Sequence, residues 1–187
     1  MKKNKIYLLS LLLLVGACKK DTPVDALTTV ELETERKEVA DVPEIPHSIP
    51  IPAGGIEFAL PPYKSATDSK NFFEQNKTSP NAINYAKLKT IYLRFLTPDT
   101  ANFNCMDKVK IYVSANGFQE VLVAEKNDIP KGIKSLETVP VDVDLKSYFI
   151  QDTIIFRVVP HFIDYPASGG QLEMGATFKV SVTGSKI

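Results

Sequence analysis

"LEMGATFKVSVT", residues 172–183, is the stretch whose reading decides the fold. Leu172, Met174, Ala176, Phe178, Val180 and Val182 stand at every second position, with Glu173, Gly175, Thr177, Lys179, Ser181 and Thr183 between them. A period of two sends alternate side chains to opposite faces of an extended chain, whereas a helix would scatter these six around its axis. The stretch predicts a strand with one face against a core.

The same rhythm recurs upstream. Ile56, Phe58 and Leu60 alternate with Glu57 and Ala59; Ile91, Leu93 and Phe95 with Tyr92 and Arg94; Val109, Ile111 and Val113 with Lys110, Tyr112 and Ser114. Each predicts a half-buried strand. In "TVPVDVDL", residues 138–145, Val139, Val141, Val143 and Leu145 take one face; Pro140 has no N–H for a ladder, which places this strand at a sheet edge. Asn116-Gly117 marks a tight hairpin that pairs 108–115 with 119–125, because both positions tolerate positive φ. Residues 154–163, "IIFRVVPHFI", alternate less and predict a strand covered on both faces, with Pro160 at a bulge or at the end of regular pairing. One short helix is expected at 69–76, capped by Asp68, docked by Phe72 and Phe73, and closed by Asn76 and Pro80.

Seven such strands in about 130 residues, without a βαβ rhythm, predict an all-β domain. A two-sheet antiparallel sandwich of immunoglobulin-like type is the first expectation and a jelly-roll variant the second. The domain is expected to occupy residues 55–187.

The N-terminus has a different texture. Lys2, Lys3 and Lys5 precede an apolar run from Ile6 to Val15 broken only by Ser10, and Val15-Gly16-Ala17-Cys18 follows. The run is far shorter than the roughly 20 residues of a membrane-spanning helix and has the length of a signal peptide. This order resembles the lipobox of bacterial lipoproteins. The resemblance implies cleavage after residue 17 and acyl chains on Cys18, which would tether the mature chain to a membrane; two or more chains suffice for stable anchoring. Lys19 stands where an aspartate would signal inner-membrane retention in many Gram-negative cells, so the outer membrane is expected. Lys19-Lys20-Asp21 offers one acid where surface export resembles an acidic cluster, which favours a periplasm-facing domain.

Residues 18–54 read as the lipidated terminus and a flexible stalk. "ELETERKE" is almost purely charged, and "DVPEIPHSIPIPAGG" packs four prolines and two glycines into its length. Such composition buries too little apolar surface to order itself. Thr28 with Glu31 would suit a helix cap, while Val30 and Leu32 are equally strand-like. A coil of this length would span about 30–35 Å. Lipobox, stalk and sandwich together resemble small outer-membrane lipoproteins of the Bacteroidota, a likeness of architecture that brings no catalytic residues with it.

Charge and cysteines narrow the function classes. The chain of 187 residues carries 22 Lys+Arg and 22 Asp+Glu. Removing residues 1–17 takes away three lysines and no acids, so the remainder is mildly acidic and presents no basic face for nucleic acid. With Cys18 acylated, Cys105 is the remaining thiol and reads as a small buried hydrophobe. His47 lies in the proline-rich segment and reads as solvated. His161 stands three residues from Asp164 and suits a hydrogen-bonded pair, but no third ligand stands at metal spacing. Asp142 and Asp144 share one face of their expected strand, and read as a solvated face that discourages edge pairing more readily than as a calcium or acid–base pair. Gly169-Gly170 read as a turn, lacking the lysine and helix of a phosphate cradle.

A binding surface is expected among aromatics near strand ends: Phe118, Tyr148, Phe149, Phe162 and Tyr165. Asp99-Thr100-Ala101 and Asp152-Thr153-Ile154 resemble the short motif at which Bacteroidota O-glycosylate exported proteins, which makes Thr100 and Thr153 acceptor candidates. The leading expectation is thus a non-enzymatic, lipid-anchored binding or structural domain, without cofactor or metal, that engages a protein or glycan through loops at one end of its sandwich. An accessory subunit of a larger outer-membrane assembly is the alternative, and a hydrolase the third reading.

Overall fold

A computed structural model describes residues 28–44, 46–166 and 170–184. The decisive stretch forms β10, Gln171–Gly184, with Leu172, Met174, Ala176, Phe178, Val180 and Val182 all buried. Among the other long strands are β1 (Thr28–Asp41), β4 (Ile83–Thr97) and β5 (Met106–Ala115). The others are β2 (Ile56–Glu57), β3 (Tyr63–Ala66), β6 (Phe118–Lys126), β7 (Ser135–Glu137), β8 (Val139–Pro140) and β9 (Thr153–Phe162). Two short α-helices, α1 (Ser69–Gln75) and α2 (Lys146–Phe149), and two single 3-10 turns, Pro80–Ala82 and Phe103–Cys105, complete the described elements.

The strands form two antiparallel sheets packed as a sandwich. One has the order β1-β10-β4-β7; the other runs β2-β9-β5-β6-β8, with β3 also on β9. Phe103, Phe149, Phe156, Phe162 and Phe178 lie fully buried in the common core. Backbone bonds from Phe58 N to Pro160 O (3.2 Å) and Leu60 N to Val158 O (2.9 Å) carry the pairing with β9 across the gap between β2 and β3.

Strand order separates the two expected variants. In the immunoglobulin arrangement the first and last strands belong to different sheets. Here β1 and β10 are hydrogen-bonded neighbours from Thr28↔Gly184 to Asp41↔Gln171. Most connections cross between the sheets, and β5–β6 is a hairpin within one. Such winding is that of a jelly roll, the second of the two expectations.

The stalk is the largest correction. Residues 28–41, read as part of a flexible segment, are a complete edge strand. Glu31, Glu33, Glu35 and Lys37 point outward and are exposed, while Leu32, Thr34, Arg36 and Ala40 turn inward and are half-buried. The charged run is one face of a strand, and the strand owes its order to β10. On the outer face Lys179 meets Glu31 at 2.7 Å, Lys89 meets Glu33 at 2.7 Å, and the Tyr85 hydroxyl donates to Glu31 at 2.6 Å. Charges along an open edge also discourage a further strand. The proline-rich segment is built into the domain as well: Val42 is buried, its N–H donates to Gly170 O (2.7 Å), and Ile51 packs against the core. The sandwich thus includes residues from Thr28 onward, upstream of the expected boundary at residue 55.

Other differences have local causes. β4 extends back to Ile83 because register shifts opposite Thr177/Phe178 and Ser181/Val182 re-phase it. Ala86 and Leu88 face inward, then Lys89 and Thr90 are both exposed, then Ile91, Leu93 and Phe95 face inward again. A bulge adds a residue and breaks the alternation that betrays a strand. The stretch 138–145 is not one strand. Thr138 is buried, and both its N–H and its hydroxyl bond Ile91 O (3.0 Å each) where the chain leaves one sheet for the other. Val139 is exposed, and pairing ends at Pro140, which does lie at an edge. Pro160 continues β9 opposite Val109, and the shift lies in the partner strand between Met106 and Lys108.

The hairpin at Asn116-Gly117 is as expected, with Gly117 at φ +79. So is α1 with its buried Phe72 and Phe73, although Asp68 makes no side-chain cap and instead accepts from Asn71 Nδ2 at 2.6 Å. A second helix, α2, joins the single one expected. One turn leaves no periodic signal in the sequence.

Candidate functional site

The sandwich has two ends. At the hairpin end stand Asn116-Gly117 and the start of β4, and α2 bridges them: Tyr148 stacks on Phe118 (5.4 Å between ring centres) and Lys146 Nζ donates to Ile83 O. Ile83 pairs Val182 there, and Thr28 pairs Gly184. At the opposite end Asp41 pairs Gln171, and Ile56 and Met106 both pair Phe162.

The five aromatics do not form one surface. Phe149 is core, set edge-on to Phe72 (5.2 Å, 84°) and tilted on Phe178 (5.8 Å). Phe162 is core too, 1% exposed. Phe118, 39% exposed, and the half-buried Tyr148 share the hairpin end, where the Tyr148 hydroxyl donates to Gln119 O at 2.7 Å. Tyr165 lies at the opposite end: its hydroxyl donates to Ile49 O at 2.9 Å and its ring stands 4.2 Å from that of His47. The expected surface is therefore divided between two ends and the core. His47 is held against Tyr165 by the segment read as stalk.

The candidate chemistry is equally dispersed. His161 Nδ1 lies 2.6 Å from Asp107 Oδ1, a residue of β5 brought across by the pairing of β5 with β9, and not on Asp164. Asp164 accepts from Tyr165 N at 2.8 Å. Burial pushes the Asp107 carboxyl up, but the hydrogen bond and charge of His161, together with Lys108, outweigh it and hold the group below the ordinary carboxylate range. Gly55, at φ +78, lets the chain lie against the imidazole; a Cβ there would stand 2.3 Å from His161 Cε1. Asp142 pairs with Lys87 at 2.5 Å, while Asp144 accepts from Ala86 N (3.1 Å) and Lys146 N (2.9 Å). The two aspartates thus serve different partners. Among the described residues no group of three or more His, Cys, Asp or Glu is placed to hold a metal.

Cys105 is buried, and burial pushes its thiol up to about 11, which makes it unreactive at neutral pH. Thr100 is exposed in the loop after β4, and Thr153 is exposed at the first position of β9. Gly169, of the turn expected at Gly169-Gly170, lies outside the described residues, as does Cys18.

Two features escaped sequence reading. Glu173, 9% exposed although on the outer face of β10, accepts from Arg94 (2.7 Å) and from the Tyr92 hydroxyl (3.0 Å). Tyr92 lies flat over Gly175, where a Cβ would meet the ring at 2.2 Å; the glycine of the opening stretch makes room for it. An open depression of about 460 Å³ lies beside α1, between Lys70, Phe73 and Lys77 on one side and Ile150 and Asp152 on the other. Its opposing charges and shallow form leave no ligand chemistry specified.

No protein-family model matches the chain, and no curated protein is similar to it. Among solved structures the chain is similar to a decameric BFDV capsid protein at 12% identity, over 83% of this chain and 99% of that one, with a TM-score of 0.37. It is also similar to desmodium yellow mottle tymovirus (7% identity, 86% and 91% covered, TM-score 0.27) and turnip yellow mosaic virus (8%, 99% and 93%, 0.26). At such scores these likenesses carry no argument, and the jelly-roll assignment rests on strand order.

Proposed function

We propose that this chain is a lipid-anchored envelope lipoprotein whose jelly-roll sandwich is a non-enzymatic binding or structural domain of the outer membrane, with the periplasm as the side it faces. The observation that carries the reading is how the chemistry-bearing side chains are spent. His161 engages Asp107, Asp142 engages Lys87, Asp144 caps two backbone amides, and Glu173 holds Tyr92 and Arg94. These groups hold strands and turns together and do not converge on one cleft. The order Val15-Gly16-Ala17-Cys18 supports the anchor. The exposed Glu31, Glu33, Glu35 and Lys37 along the middle of β1 disfavour an uncharged partner strand there, with Val39 the exposed apolar residue on their face, and this favours a self-contained domain over one completed by a partner's strand. A protein or glycan is the partner class that loops at a sandwich end suit.

Labelling cells with an alkyne fatty acid should mark the chain, and Cys18→Ala should abolish the label. Crosslinking in the native envelope should then capture a partner. Turnover in a hydrolase screen that is lost on His161→Ala would overturn the non-enzymatic reading.

A further inference from the structure

We infer that the hairpin end of the sandwich, with Phe118, Tyr148 and Val30, faces the lipid surface, and that the end formed by Ile49, Ile163 and Tyr165 points away from it. The inference deepens the proposed function and rests on Cys18 as the point of attachment.

The geometry comes from where the described chain begins. Ten residue steps separate Cys18 from Thr28. Whatever their arrangement, a chain of that length reaches at most about 33–36 Å, and as a coil about 16–19 Å. From Thr28, β1 runs the full length of the sandwich to Asp41, a span of about 42–44 Å at the rise of an extended strand. With the strands upright and the far end on the bilayer, Thr28 would stand beyond the reach of the tether even when fully extended. An upright inverted orientation lies beyond that reach, and a tether short of full extension would favour the hairpin end over a domain lying on its side. This replaces the expected long stalk, which would have set no orientation.

Apolar exposure does not separate the two ends, since Ile49 (45% exposed) and Ile163 (40%) stand at the far one, so tether length carries the placement and the near end supplies its own contacts. Phe118 is 39% exposed at the tip of β5–β6, Tyr148 presents a ring beside it, and Val30 is 46% exposed two residues into β1. Aromatic rings with one apolar face and one wet edge settle at the headgroup level of a bilayer. At this end Lys146 and Asp144 are engaged with backbone groups, while Asp152 and the α1 charges Lys70, Glu74 and Lys77 are exposed.

The chain contains no tryptophan, so single-tryptophan reporters have no background. Residues 18–187, which include every described strand of both sheets, are coupled through the Cys18 thiol to a maleimide phospholipid in phosphatidylcholine vesicles; buried Cys105 does not compete. Phe118→Trp and Val30→Trp report the near end and Ile163→Trp the far end, with circular dichroism confirming each fold. Brominated phosphatidylcholine should lower the emission of the near-end reporters, as expected for rings at headgroup depth, and leave the far-end reporter unchanged. Quenching at residue 163 equal to or greater than that at 118 and 30, or no quenching at the near end, overturns the inference. Chemical coupling keeps this outcome separate from acylation in the cell: a chain that takes no fatty acid label loses the anchor reading, while the orientation measured here stands or falls by itself.

Discussion

Phe149 separates a surface aromatic from a core one, and its truncation is the sharpest measure of the architecture. The ring is 2% exposed, meets Phe72 edge-on at 5.2 Å and tilts on Phe178 at 5.8 Å, so α2 is pinned to β10 through it. Phe149→Ala removes the ring from a site closed by two other aromatics that cannot collapse far, and should cost about 3–5 kcal/mol. For a domain whose total stability is of order 5–15 kcal/mol, that is a large fraction. The melting temperature should fall by about 6–20 °C. Phe118→Ala, at the exposed hairpin tip, should cost less than about 1 kcal/mol. Urea denaturation followed by far-ultraviolet circular dichroism gives both midpoints. A double-mutant cycle of Phe149 with Phe72 should show about 0.5–1.5 kcal/mol of coupling, the worth of an edge-to-face pair. Equal midpoints for Phe149→Ala and Phe118→Ala, or no coupling to Phe72, would refute the placement of α2 in the core.

Three further outcomes follow from the same geometry. In β1, neighbouring residues alternate between an N–H on β10 and an N–H on the open edge, so of Glu33→Pro and Thr34→Pro one should lose about 1 kcal/mol or more and the other little, whereas two silent variants would mean no strand there. The Asp107 carboxyl is held below its ordinary value, so its contact with His161 stabilises the fold above the unfolded carboxylate pKa of about 3.9 and is lost as pH falls through the lower folded value. Asp107→Asn should therefore shrink the loss of stability seen on acidification below about pH 4, and an unchanged acid limb in urea titrations would count against the pair. In a Cys18→Ala chain Cys105, buried with its thiol raised to about 11, should resist a disulfide reagent at pH 8 until the domain is unfolded; rapid labelling of that native chain would show that the start of β5 is open.

Legibility in the sequence followed the reach of the physics involved. The hairpin at Asn116-Gly117, the inward faces of β5 and β10, the burial of Cys105 and the short helix with Phe72 and Phe73 depend on a few neighbouring residues, and all were readable. β4 was readable only after its bulge, from Ile91 onward, since an inserted residue resets the alternation. The segment 28–41 was misread because its composition is that of a disordered chain; what orders it is β10, more than a hundred residues later. The candidate site suffered in the same way: His161 was given its neighbour Asp164, while its partner Asp107 lies 54 residues away.

The sequence by itself determined that strands form, which side chains β5 and β10 turn inward, and that the strands close into a two-sheet sandwich, because side-chain alternation and turn chemistry are local; Phe58 and Val139, expected inward, are exposed. Tertiary structure alone decided that the first strand lies beside the last and that the winding is a jelly roll. It alone decided that the charged run is the outer face of β1, and that the surface aromatics divide between two ends and the core. Strand pairing joins residues through backbone hydrogen bonds that any side chain can make, so the order of strands is set by the whole packed core and leaves little mark on any one stretch.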